Sequence, residues 1–241
     1  TLNVYVAQAN TNLSPTITGL EVINVTADET VNLNLAQSSG YTTLNNENSS
    51  AVVTFSNINS TAVNLAVTDA SAATTFAYAT GVTSGTNSVN LTVSNATSGA
   101  TAVIAGVETV NVTSTGASNT VTLTTDAATT YNISGDKNLT LGTIQNTVST
   151  VNASSLTGAL SLTGAYSTGT SITGGSGKDT LTGASANDTL VGGAGNDSLV
   201  AAAGTDSLLG GDGNDTLDFD ASSSDLDADD VVDGGDGTDV L

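Results

Sequence analysis

The chain has 241 residues and a formal net charge of −21, and its only cationic side chains are Lys137 and Lys178. It contains no Cys, Met, Trp or His. Without Cys there are no disulfides, and without both His and Cys the zinc, haem, thiol and Ser-His-Asp chemistries are excluded. So negative a chain repels nucleic acid and anionic membranes, and no apolar run is long enough to span a bilayer. We therefore expect neither nucleic-acid binding nor membrane insertion.

The chain from Thr1 to Thr173 alternates apolar and polar residues, with Thr, Asn and Ser on the polar face. Period-two alternation with β-branched residues is typical of strands that bury one face. It predicts strands in the segments TVNLNL (30–35), AVNLAV (62–67), SVNLTV (88–93), TVNVTS (109–114), TVTLTT (120–125), NLTLG (138–142) and ALSLTG (159–164). Capped helical periodicity is absent, so we predict an all-β fold.

An internal repeat runs through this part of the chain. ITGLEVINVT at 17–26 resembles IAGVETVNVT at 104–113, and its shared residues include Glu21 and Glu108. We predict two related β modules, 1–100 and 101–173, built as a β-solenoid of strand modules or as stacked sandwiches. For the two glutamates, additional calcium ligands and a repeated structural hydrogen bond are both open readings.

Residues 174–218 carry a nine-residue pattern five times in unbroken register. The blocks read GGSGKDTLT, GASANDTLV, GGAGNDSLV, AAAGTDSLL and GGDGNDTLD, and a further block, GGDGTDVL, begins at Gly234. Each block has Asp at position six, and the five in register have Leu at position eight. Glycine allows a turn with φ > 0, and a turn that ends in Asp offers the carbonyl and carboxylate oxygens that calcium binds.

Two alternatives to a calcium site are a flexible linker and a solenoid that needs no metal. A linker has no reason to keep Asp and Leu at fixed positions. Residues 174–241 hold fifteen Asp and one Lys, and carboxylates stacked along an edge without a cation repel one another. The pattern therefore favours calcium.

This pattern is identified as the calcium-binding nonapeptide of RTX proteins, G-G-x-G-x-D-x-U-x. The resemblance implies that 174–241 is a parallel β-roll in which two blocks form one coil, and each ion lies between a turn and the turn two blocks later. It pairs Asp179, Asp197 and Asp215 along a first edge, and Asp188 and Asp206 along a second edge. The candidate ligand residues for several Ca²⁺ ions are Gly174, Gly175, Gly177, Asp179, Asp188, Gly192, Gly193, Gly195, Asp197, Asp206, Gly210, Gly211, Gly213, Asp215, Gly234, Gly235, Gly237 and Asp239.

Two departures from the pattern concern the second edge and the final block. Alanines replace glycines at 184 and 186 and at 201 and 202, so we expect the second edge to bind calcium weakly or not at all. The block at Gly234 is out of register with the block at Gly210, so we expect an irregular insertion at 219–233 and leave the pairing of Asp215 with Asp239 open.

The strand module GVETVNVTSTG, then LTGALSLTG, then ITGGSGKDTLTG, resembles RTX-type surface-layer proteins of Gram-negative bacteria. This resemblance implies type I secretion, folding on extracellular calcium, and self-assembly into a surface lattice or filament. Copies of the chain are the expected partner, with cell-surface polysaccharide a second. No catalytic site is expected. The alternative functions are the calcium-binding tail of a secreted enzyme or toxin, and an adhesin stalk.

Overall fold

The computed structural model of the chain describes residues 1–8, 11–163, 168–219, 226 and 229–241. These residues form parallel strands joined by turns, with no helix among them, and the predicted all-β solenoid and roll are confirmed. The described part therefore also lacks any helix long and apolar enough to span a membrane. The chain divides into two compact units, Thr1–Ala128 and Thr129–Leu241. The module boundaries at 100 and 173, drawn from the internal repeat and from the start of the nonapeptides, stay a prediction.

The first unit is a solenoid of two-strand turns. Odd-numbered strands form one parallel sheet and even-numbered strands form the other. The strands are β1 (Leu2–Val6), β2 (Thr11–Leu13), β3 (Val22–Ala27), β4 (Val31–Asn34), β5 (Thr43–Glu47), β6 (Val53–Ile58), β7 (Asn64–Thr68), β8 (Ala73–Tyr78), β9 (Ser88–Ser94), β10 (Thr101–Ile104), β11 (Thr109–Thr115) and β12 (Asn119–Thr125).

Apolar residues of successive turns stack between the two sheets of the first unit. Leu2, Ile23, Leu44 and Leu65 are successive register partners in one sheet, one from each turn. In the other sheet the rings of Phe55 and Phe76 stack with centroids 5.5 Å apart. Burying each such side chain contributes about 1.5–3 kcal/mol, so the core supplies most of the stability of this unit.

The internal repeat found in the sequence relates single turns of this solenoid. Its two copies contain strands β3 and β11, which occupy the same sheet. Every turn places the same alternation of apolar and polar residues beside its neighbours, so different turns have similar sequences. The strand pairing therefore shows the single turn as a structural repeat, while the two longer modules stay a prediction.

The second unit contains the strands β13 (Thr130–Gly135), β14 (Leu139–Leu141), β15 (Thr150–Leu156), β16 (Leu160–Thr163), β17 (Ser171–Thr173), β18 (Thr180–Thr182), β19 (Thr189–Ala194), β20 (Ser198–Val200), β21 (Ser207–Asp212), β22 (Thr216–Asp218) and β23 (Val231–Asp236). They also alternate between two parallel sheets. Fewer residues separate the partners Ile172 and Leu190 than separate the partners Val151 and Ile172. The turns therefore become shorter within this unit. Each of the seven segments predicted as strands overlaps one, and the shorter turns begin where the nonapeptides begin.

Candidate calcium sites

The first edge is a ladder of inward-pointing aspartates. Ser161 pairs with Thr180, so Asp179 takes the place in the next turn that Leu160 takes in the preceding one. The backbone N–H of each aspartate donates to Oδ1 of the aspartate one turn later. These N–O distances are 2.7 Å for Asp179 to Asp197, 2.8 Å for Asp197 to Asp215 and 2.9 Å for Asp215 to Asp239. The structure thus joins the predicted partners and also pairs Asp215 with Asp239.

The final block keeps its register despite the added residues before it. Gly211 pairs with Gly235 and Asp212 pairs with Asp236, although more residues separate these partners than separate those of the preceding turn. Of the insertion predicted at 219–233, residues 220–225 and 227–228 lie outside the described residues, while 231–233 belong to β23.

The second edge forms the same ladder and is longer than the sequence predicted. The N–H of Asp188 donates to Oδ1 of Asp206 at 2.7 Å, and the N–H of Asp206 donates to Oδ1 of Asp230 at 2.7 Å. Asp230 was missed because its block has no glycine at the expected turn positions. The signal that could have found it is its position one nonapeptide before Asp239.

Three carboxylate oxygens inside the roll have no hydrogen-bond donor. Asp197, Asp206 and Asp215 are at most 2 % exposed, and their Oδ2 atoms are buried without a partner in the described structure. Asp179 and Asp188 differ, because their Oδ2 atoms accept the N–H of Gly175 and Ala184, each at 2.7 Å. A buried anionic oxygen without a partner is costly, so these three positions call for a cation.

The turns around these three aspartates share a left-handed backbone. The φ angles are positive at Gly193, Gly195, Gly211, Gly213, Gly235, Gly237, Gly204 and Ala202. Ala202 reaches a φ of 73° although its Cβ disfavours it. No positive φ occurs among 174–177 or 183–186, the first turns of the two edges. Each of the three unpaired carboxylates therefore follows a turn with left-handed backbone, and the final turn, at Gly235 and Gly237, has the same backbone.

The glycine at position one leaves space between a carboxylate and the next turn. A methyl group on Gly192 would overlap both Asp197 Oδ2 and the carbonyl oxygen of Gly210. On Gly210 it would overlap Asp215 Oδ2 and the carbonyl oxygen of Gly234. Carboxylate and carbonyl oxygens thus converge on one gap at each level, which is the ligand set of Ca²⁺.

Burial and mutual repulsion disfavour charge on these aspartates in the absence of a cation. The pKa of Asp197 is raised to about 6, mainly by desolvation and also by the neighbouring charges of Asp179 and Asp215, against the lowering effect of the hydrogen bond from the Asp179 N–H. Burial likewise raises the pKa values of Asp179, Asp188 and Asp206. A bound divalent cation would reverse this balance and hold the carboxylates ionised.

The predicted residues fit calcium better than metals that need many side-chain ligands. Within the described residues, no three His, Cys, Asp or Glu side chains converge on one point. Each turn offers one aspartate, so the remaining ligands would be backbone carbonyls, which suit calcium. The aspartates and position-one glycines would hold the ion, while the ligand role of each predicted residue stays a prediction. Of the two glutamates, Glu108 accepts the N–H of Asn87 at 2.7 Å, as the structural reading expected.

Comparison with known proteins agrees with this geometry. The model of the RTX calcium-binding nonapeptide repeat matches four copies, over residues 171–190 and 182–217. No curated protein and no solved structure matches the chain. The matched residues contain the turns from Gly174 to Asp215, whereas the turns of Asp230 and Asp239 follow them.

Proposed function

We propose that this chain, which carries RTX calcium-binding repeats, is a secreted structural protein of the bacterial surface. In this proposal calcium sets its fold, and copies of the chain then assemble into a layer or fibre. The observation that carries the proposal is the set of buried Oδ2 atoms of Asp197, Asp206 and Asp215, which have no hydrogen-bond partner among the described residues; those of Asp197 and Asp215 also lie beside turn carbonyls. Secretion is proposed because RTX repeats are typical of exported proteins that meet calcium outside the cell.

Extracellular calcium levels suit such sites energetically. Extracellular calcium modules bind with Kd values of about 10⁻⁴–10⁻³ M. At ten times Kd, each ion adds about 1.4 kcal/mol to the stability of the folded state. Three sites would add about 4 kcal/mol, a large fraction of the net stability of a domain. Calcium can therefore decide whether the roll is folded.

The outer faces of the solenoid favour contact between copies. Only eight of the 23 acidic residues lie in 1–173, so the surface there is polar but nearly uncharged. Asn side chains run along it in ladders, with Asn111 bonded to Asn90 at 3.0 Å and Asn90 to Asn64 at 3.2 Å. Such faces can approach one another without charge repulsion and exchange hydrogen bonds at a regular strand spacing. Cell-surface polysaccharide, rich in hydroxyl groups, is a second partner for the same faces.

Negative-stain microscopy tests this proposal. The purified chain is imaged without calcium, with calcium and after chelation, beside a double variant, Asp197→Asn with Asp215→Asn. We expect ordered sheets or fibres only in calcium, their dispersal by chelator and their absence in the variant. If calorimetry records calcium binding while the particles stay separate, assembly is rejected and the chain is a calcium-binding segment of another secreted protein.

A further inference from the structure

We infer that Asn196 and Asn214, at position five of two nonapeptides, are positioning residues of the first edge. Neither residue is among the candidate calcium ligands. Each holds two successive turns at a fixed spacing and directs a backbone carbonyl, and in this way sets the affinity and the ion-size selectivity of the edge. The inference rests on the calcium-binding function proposed above and deepens it.

Exposed asparagine side chains join successive turns along the outside of the roll. The backbone N–H of Asn214 donates to Oδ1 of Asn196 at 2.9 Å, and the N–H of Thr238 donates to Oδ1 of Asn214 at 2.8 Å. Each of these three residues is exposed and directly precedes an aspartate of the first edge. The second edge has one such bond, from the N–H of Thr205 to Oδ1 of Asn187 at 3.0 Å. Position five thus carries an outer ladder of side-chain amides.

This outer ladder fixes the direction of the glycine carbonyl at position four. In a planar trans peptide the C=O group and the following N–H group point in opposite directions. The N–H of Asn214 points to the preceding turn, so the C=O of Gly213 points to the following turn. A methyl group on Gly237 in that turn would indeed overlap the Gly213 oxygen. The bond to the Asn196 side chain therefore orients the carbonyl of a candidate ligand residue.

The outer ladder and the inner aspartate ladder cross the same two gaps between turns. Asn196 accepts a bond on the outside where the N–H of Asp197 donates to Asp215 at 2.8 Å on the inside. Asn214 accepts a bond where the N–H of Asp215 donates to the next aspartate at 2.9 Å. The Oδ2 atoms of Asp197 and Asp215 are buried without a partner among the described residues. Since calcium selectivity depends on the size and flexibility of the cavity, the asparagines influence which ion fits each gap.

The first turn of this edge lacks the asparagine. Its position five is Lys178, whose ammonium group cannot accept a hydrogen bond. There the Oδ2 atom of Asp179 accepts the N–H of Gly175 at 2.7 Å. Along the first edge, the asparagine is therefore present beside the carboxylates without a donor and absent where the backbone supplies one. The bond of the second edge lies beside Asp188, whose Oδ2 also has a backbone donor, so the inference concerns the first edge.

Calorimetric titration of the full chain with calcium and with strontium tests this role. For Asn196→Ala and Asn214→Ala we expect about two- to tenfold lower calcium affinity, because each loses one hydrogen bond between turns. The number of bound ions should stay the same, since the ligands remain. The ratio of calcium to strontium affinity should fall, because the larger strontium ion tolerates a looser gap.

Three control variants separate positioning from loss of stability. Thr238→Ala shortens the same block position, where the hydroxyl has no hydrogen bond among the described residues, and should keep the wild-type affinities. Leu199→Val weakens the buried core of the roll, so it should lower both affinities by the same factor. Asn214→Asp keeps an acceptor oxygen and should restore the ratio, with Thr238→Asp measuring the effect of an added charge at position five.

The outcomes distinguish this inference from the function on which it rests. A wild-type chain that binds no calcium would overturn the proposed function. A wild-type chain that binds calcium, with unchanged affinities in both alanine variants, would overturn the positioning role alone. An unchanged ratio of the two affinities, as expected for Leu199→Val, would show a merely structural role, and loss of an ion at saturation would make the asparagine a ligand. If one alanine variant fails to fold in calcium, as judged by circular dichroism, the other reports on the neighbouring gap.

Discussion

At the scale of single residues, the aspartates of the first edge occupy inward positions that leucines occupy in the preceding turns. Leu139 pairs with Leu160, and Asp179, Asp197 and Asp215 continue the same inward column. The backbone and strand pairing barely change across this step, but the column changes from apolar to anionic. A buried, unpaired carboxylate opposes folding, so the substitution makes folding of these turns depend on a cation.

The same aspartates predict an unusual pH dependence for the calcium-free protein. The pKa values of Asp179, Asp188, Asp197 and Asp206 are raised in the folded state, to about 6 for Asp197, so the folded state binds protons more tightly than the unfolded state. The resulting stability is fully present below the unfolded pKa of about 4 and is lost as the pH rises through about 6. In chelator, the roll should therefore melt at a higher temperature at about pH 5 than at about pH 7.

Thermal melts followed by far-UV circular dichroism check this, at pH values kept above the pI of about 4.1. Calcium should reverse the trend, because protons compete with the ion for the carboxylates. The variant Asp197→Asn should show a smaller pH dependence in chelator. A calcium-free melting temperature that falls on acidification would contradict the burial of ionisable carboxylates at these positions.

At the scale of elements, the asparagine ladders join the turns of the first unit. Asn90 both donates to Asn64 and accepts from Asn111, so it makes two links between strands β7, β9 and β11. Asn90→Ala should lower the free energy of unfolding by about 1–2 kcal/mol, since a net hydrogen bond contributes about 0.5–1.5 kcal/mol. Asn12→Ala is the control, because Asn12 has the single ladder bond from Asn32. Denaturant unfolding that gives equal losses for the two variants would reject the ladder as a source of stability.

The positions of strands and turns could be predicted from the sequence where a structural position requires one residue type, and not where several residue types can fill it. Leu and Asp at positions eight and six must point inward, so the sequence alone places the roll and five of its aspartates. The longer turn of the first unit has no fixed motif, because any β-branched residue can fill an inward position, and its period was not predicted. Asp230 was missed because its block has no glycine at the expected turn positions. The sequence also did not predict that backbone N–H groups donate to the Oδ2 atoms of Asp179 and Asp188, because every block has the same aspartate at position six.

At the scale of the whole molecule, the two units depend on calcium to different degrees. The buried polar residues of the first unit are Ser, Asn and Thr, whereas the second unit also buries Asp179, Asp188, Asp197, Asp206 and Asp215. Among the described residues the first unit has no buried carboxylate to neutralise, so we expect it to fold without a cation, whereas we expect the last turns of the second unit to need one. Regions of one chain can open with different free energies, so chelation should unfold one region and leave the other folded.

Hydrogen exchange read by mass spectrometry measures this difference. In calcium, we expect protected amides in strands β1–β12 and in β18–β23. In chelator, β18–β23 should lose protection while β1–β12 keep it, because the former lose the ions that offset their buried charges. Calcium should restore the protection and magnesium should not, since Mg²⁺ demands octahedral geometry and keeps its water, whereas these gaps offer backbone carbonyls. Equal protection of β18–β23 with and without chelator would show that the stacked aspartates fold without a cation, and it would remove the physical basis for a calcium-set protein.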